Sequence, residues 1–93
     1  MIIYVDIDNT ICSHEEDYSK AIPFHDMIDK VNKLSEEHTI VYWTARGATT
    51  GIDWTEVTEQ QLQKWGCKYS ELKMGKPHYD LFICDKSITP EVL

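Results

Sequence analysis

The chain opens Ile2-Ile3-Tyr4-Val5-Asp6-Ile7-Asp8-Asn9-Thr10, and no other stretch limits its fold and chemistry so tightly. A short apolar run of this kind reads as a buried strand. It ends in two carboxylates two positions apart and a hydroxyl two further on. Unpaired charge at the end of a buried strand is costly unless a cation or a metal compensates it. No lysine or arginine occurs before Lys20, so the compensation is not local. The pattern predicts a divalent cation at the C-terminal tip of the first strand, and with it phosphate chemistry.

The rest of the chain alternates between helical and extended periodicity. Residues 9–22 are polar and mixed and read as a loop. Pro23 suits a first helical turn, and Phe24, Met27, Ile28, Val31 and Leu34 follow at the spacing of one apolar face. Thr39-Ile40-Val41-Tyr42-Trp43 is a second strand, rich in β-branched and aromatic residues. After a loop through Gly47 and Gly51, Asp53-Trp54-Thr55-Glu56 predicts a helix start of the capping-box type. Trp54, Val57, Leu62 and Trp65 are its predicted apolar face, and Gly66 is placed to end it. Residues 69–72 form a weakly signalled short strand, and Leu81-Phe82-Ile83-Cys84 a clearer one ending in Asp85.

Strand, helix, strand, helix, strand, strand is the order of a three-layer α/β domain of Rossmann-like type on a short, mostly parallel sheet. Residues 1–93 make a single domain on this reading, with no room for a second core. Parallel strands with right-handed crossovers end on one sheet edge, and that edge is where open α/β sheets bind ligands. Asp6 and Asp8 after the first strand, Thr44 after the second and Asp85 after the last all fall there. Three carboxylates at neighbouring tips suit Mg²⁺, which takes carboxylate, water and phosphate oxygens. Thr44 and the amide of Ala45 offer donors for a phosphoryl oxygen. Lys76, in Gly75-Lys76-Pro77, brings positive charge toward a transferring phosphoryl group.

Asp-x-Asp-x-Thr, a threonine after the second strand, a lysine, then a strand ending in Asp: in this order the motifs resemble those of the haloacid dehalogenase superfamily. The likeness covers nearly the whole chain. Tyr42-Trp43-Thr44-Ala45-Arg46-Gly47, Gly75-Lys76-Pro77 and Asp85-Lys86 look more particularly like small members without a cap domain that serve capsule or polysaccharide biosynthesis as phosphatases. The resemblance implies a haloacid dehalogenase-like fold with strands ordered 3-2-1-4. It also implies aspartate-based phosphoryl transfer, with Asp6 as nucleophile, Asp8 as general acid and base, and Thr10 orienting Asp8. Mg²⁺ would be held by Asp6, the Asp8 carbonyl and Asp85. Thr44 and Lys76 would position the phosphoryl group, with Thr10, Ala45 and Arg46 on the phosphate side. Arg46 is as readily a structural ion pair. Cys84 stands where relatives often carry a second acid before the lysine, which would weaken metal binding or activity.

Composition narrows the partners. A formal net charge of −7 argues against a nucleic-acid binder or a surface for anionic membranes, since both require a basic face. Three isolated cysteines and four scattered histidines show no zinc spacing and suit reduced thiols in a cytoplasmic protein. No stretch approaches a membrane span. A chain this short buries little surface, so a bound metal or homo-oligomerisation would supplement its stability. The reading is an Mg²⁺-dependent phosphomonoester hydrolase acting on a phosphorylated small molecule, a sugar phosphate first. Its rivals are a catalytically weak or inactive binding module, a phosphatase of nucleotide or nucleic-acid terminal phosphates, and a phosphotransferase to a sugar. Glu15-Glu16-Asp17 lies in the segment where such proteins form a flap, which puts Tyr18 and Lys20 at the substrate entrance.

Overall fold

The structure, a computed structural model, describes residues 1–47 and 50–76. Three parallel strands form its sheet: β1 (Ile2–Val5), β2 (Thr39–Trp43) and β3 (Glu71–Lys73), with β2 in the middle. Ile3 pairs with Ile40 and Val5 with Tyr42 across the first seam, and Tyr42 with Leu72 across the second. Two ten-residue helices make the crossovers, α1 (His25–Leu34) and α2 (Thr55–Lys64). The chain is thus a small α/β domain on a parallel sheet. The predicted strand 81–84 and Asp85 lie outside the described residues.

The alternation of strand side chains decides which face the helices cover. Ile3, Val5, Ile40 and Tyr42 share one face, and Val5, Ile40 and Tyr42 join Ile28 and Val31 of α1 and Leu62 of α2 in a single buried cluster. Both helices therefore lie on the same side of the sheet. Val41, on the other side, is buried but stands apart from that cluster, beside the half-exposed Tyr4. The sequence predicts helices on both faces; among the described residues none lies on the Tyr4 side.

The helix ends differ from the sequence pattern in detail. α1 begins at His25, two residues after Pro23, because Pro23 bridges to Cys12 and Phe24 donates its amide to Ile11. Phe24, predicted on the apolar face, is consequently left exposed. Asp53 accepts the Thr55 amide at 2.9 Å, so it closes a local turn rather than a capping box with Glu56. Gly66 does end α2: at φ +74° it turns the chain so that the Cys67 amide reaches back to the Leu62 carbonyl at 2.9 Å. No helix among the described residues is long and apolar enough to cross a membrane.

Candidate active site

The segment after β1 is a tight turn buried at its base. Ile7, Ile11 and Cys12 are fully buried, and the Ile7 carbonyl accepts the amides of both Thr10 and Ile11. Asn9 closes the turn at φ +62°, a left-handed conformation that asparagine tolerates better than most residues. Buried Val5 and Ile7 alternate with Asp6 and Asp8, whose side chains thereby take the other direction. Both acids line a cleft of about 330 Å³ together with Asn9, His14, Tyr18, Thr44, Ala45 and Arg46.

Asp6 is the open carboxylate of the pair, its side chain 45% exposed. One oxygen accepts the Ile7 amide and the other the Lys76 ammonium, each at 3.0 Å. Lys76 is set there by backbone: Thr44 donates its amide to the Lys73 carbonyl, and Lys76 donates its own to the Thr44 carbonyl. The tips of β2 and β3 are thus stitched together, and the Lys76 side chain is carried to Asp6, seventy positions away in sequence. Thr44 is buried, and its hydroxyl oxygen accepts the Arg46 amide at 3.1 Å, which leaves the hydroxyl proton to donate.

Asp8 is held differently. Its carboxylate takes a bidentate pair of bonds from Arg46, Nη2 at 2.9 Å and Nε at 3.1 Å, and the guanidinium is wholly buried. Of the two roles the sequence leaves open for Arg46, its side chain fills the structural one. Nη1 donates to Thr58 and Gln61 of α2, and the Tyr18 ring lies 4.9 Å from the guanidinium carbon. The Cys12 thiol sits 3.6 Å from Asp8 and 3.7 Å from Arg46. Burial, reinforced by the Asp8 carboxylate, pushes this thiol up to about 12, so it stays protonated. Thr10, the implied orienter of Asp8, makes no hydrogen bond to it among the described residues; the turn sends its amide back to Ile7. Arg46 and Cys12 orient Asp8 instead.

Asp6, Asp8, Thr44, Ala45 and Arg46 are therefore brought to one cleft, with Lys76 bonded at its edge. Thr10 does not line it, and Asp85 lies outside the described residues. Tyr18 borders the cleft as its position after the first strand suggests, while Lys20 does not. Sequence reasoning passed over Asn9, His14, Thr58 and Gln61. The last two carry a legible signal only in hindsight, as polar residues on the inward face of a helix beside Leu62.

The donors present are oxygens suited to Mg²⁺: an accessible carboxylate on Asp6 and the main-chain carbonyl of Asp8, to which no backbone amide among the described residues donates. No group of three or more potential metal ligands forms among the described residues. The charges are instructive. Asp6 faces Lys76 and Asp8 faces Arg46, two carboxylates against two cations. A phosphomonoester brings roughly −1.5 to −2 more, which these two ion pairs alone do not offset.

No family model and no curated protein matches this chain. A structural-genomics target from Vibrio cholerae, known from its crystal structure, superposes with a TM-score of 0.87 at 26% sequence identity. The match spans 98% of this chain and 85% of that one. That protein carries no functional name, so the likeness establishes a shared architecture and leaves the chemistry to the residues themselves.

Proposed function

We propose that the chain is a metal-assisted phosphomonoester hydrolase of the haloacid dehalogenase type. One observation carries the reading: an open aspartate at a strand tip, bonded to a lysine, in a cleft walled by Thr44 and Ala45. An Asp6 oxygen attacks phosphorus, and the bond from phosphorus to the ester oxygen breaks. Asp8, which must enter this step protonated, gives its proton to the leaving oxygen and later takes one from the water that hydrolyses the aspartyl-phosphate. Lys76 and the donors of Thr44 and Ala45 hold the phosphoryl oxygens as charge develops on them. Mg²⁺ would be held by Asp6 and the Asp8 carbonyl, with Asp85 as the third donor, and would supply the positive charge that two balanced ion pairs leave wanting. A sugar phosphate stands ahead of a nucleotide as the substrate on the strength of the family resemblance alone.

A second reading is a non-catalytic phosphate-binding module. In its favour, both Asp8 oxygens accept from a fully buried Arg46 guanidinium, as they would in a purely structural ion pair. Phosphate release from sugar phosphates, nucleotides and an aryl phosphate separates the two, measured with Mg²⁺, with chelator and beside Asp6→Asn. Metal-dependent turnover lost in Asp6→Asn supports the hydrolase. Phosphate binding without turnover on any ester supports the module and refutes the hydrolase.

A further inference from the structure

Gln61 lies on α2, half-buried and outside the cleft lining, yet both ends of its carboxamide are committed. Its Oε1 accepts from Arg46 Nη1 at 2.5 Å, and its Nε2 donates to the Tyr18 carbonyl at 2.5 Å. The chemistry fixes this orientation. A guanidinium only donates and a backbone carbonyl only accepts, so the bridging group must do both. A glutamate there would meet Arg46 well and repel the Tyr18 carbonyl; an apolar residue would meet neither.

Tyr18 sits at the tip of a loop whose base is closed. Ser13 donates its amide to the Ile22 carbonyl, and Ile22 donates its own to the Ser13 hydroxyl, both at 2.9 Å. The tip, a single 3-10 turn at Tyr18–Lys20, packs on α2, with the Tyr18 ring edge-on to Trp54 at 5.1 Å. His14 stands beside it, 6.2 Å between ring centres, and both face the cleft. Tyr18 thus meets Arg46 twice, through its ring directly and through its carbonyl by way of Gln61. On the far side of the same guanidinium is Asp8.

We infer that Gln61 is a positioning residue that ties the cleft rim to Asp8. Whatever lies against Tyr18 and His14 alters the seat of Arg46 and so the direction of the Asp8 carboxyl. The inference rests on the hydrolase reading for its catalytic meaning. On that reading the rim contacts the leaving group, the part of a substrate that is not transferred. Binding energy from that part is then spent on aligning the acid that protonates it. A large leaving group that reaches the Tyr18 ring engages the tie; a small one such as that of acetyl phosphate does not.

The test uses Gln61→Met, which loses both bonds, and Gln61→Glu, which keeps the acceptor for Arg46 and loses only the donor to Tyr18. On an ester that reaches Tyr18, both variants are expected to lower kcat by about 10–100-fold, the usual effect of losing a supporting partner. KM should change little, and acetyl phosphate turnover, whose aspartyl-phosphate still needs Asp8 as base, should fall less. If Gln61→Glu behaves as wild type while Gln61→Met fails, Gln61 merely supports Arg46 and the tie is refuted. The second arm needs no turnover. The Arg46 Nε–H, bonded to Asp8, is read by nitrogen-15 NMR for exchange with water in the same variants. Faster exchange in both supports the tie; unchanged exchange in Gln61→Glu overturns it. Absence of turnover in the wild type would count against the hydrolase reading alone.

Discussion

Replacing Arg46 by methionine is the sharpest perturbation of this fold. The guanidinium is fully buried and makes four strong contacts, two to Asp8 and one each to Thr58 and Gln61. Deleting one partner of a buried ion pair costs about 3–5 kcal/mol, because the other charge is stranded. The Asp8 side chain keeps 16% exposure onto the cleft, so water recovers part of its solvation and the cost falls near the lower end, about 3 kcal/mol. A domain of this size has roughly 5–15 kcal/mol to lose, so the variant should still fold and melt early in urea. Asp8→Asn alone strands the cation and should cost a similar amount. The double variant Asp8→Asn/Arg46→Met removes both charges, and the cycle should give a coupling of about 2–3 kcal/mol. Arg46→Lys keeps the charge without the planar fork and should recover only part of the loss. A coupling below about 0.5 kcal/mol, the value for exposed pairs, would refute the claim that this is a desolvated, bidentate pair.

Three further outcomes follow from the geometry. Gly47→Ala places a Cβ 2.0 Å from the Ile52 carbonyl oxygen at φ +78° and should unfold or strongly destabilise the domain, whereas Gly66→Ala, at φ +74° with open space, should cost only about 1 kcal/mol in a thermal melt. Burial raises the Cys12 thiol from 9.0 to about 12 and Cys67 to about 11. The folded state therefore binds more protons than the unfolded one between those values, so stability should fall as pH climbs from about 9 toward 12. Alanine in place of both thiols should flatten that decline in urea melts. Tyr4→Phe removes the hydroxyl bonded to Lys73 at 2.8 Å, the main cause of that lysine's raised titration. NMR titration should show Lys73 moving down, with no change in the urea midpoint because the site is exposed.

What the sequence discloses here is mostly local. A β-branched run ending in acids marks its own strand and tip, and Gly66 marks a helix end, because each is decided by neighbouring residues. The convergence of Asp6, Asp8 and Thr44 on one cleft also follows from parallel topology alone. The partners do not. Arg46 is thirty-eight positions from Asp8, and a buried guanidinium and a substrate-facing one have the same sequence signature. Thr10 illustrates the converse. Its place in the motif suggests a bond to Asp8, but the left-handed Asn9 bends the chain so that its amide returns to Ile7. Phe24 departs from its helical pattern for a similar reason, since the Cys12–Pro23 bridge shifts the helix start past it.

The stitching of Thr44 between Lys73 and Lys76 bears on how the domain comes together in time. The Asp6–Lys76 contact closes a loop of seventy residues and exists only once both parallel seams have formed. Long-range parallel pairing carries its loop-closure entropy before it is rewarded, which makes it a slow step. The cleft is therefore completed late in folding. An anion resting on Lys76 and Thr44 would act as a fastener on the whole sheet, lengthening the lifetime of the native chain with each increment of occupancy.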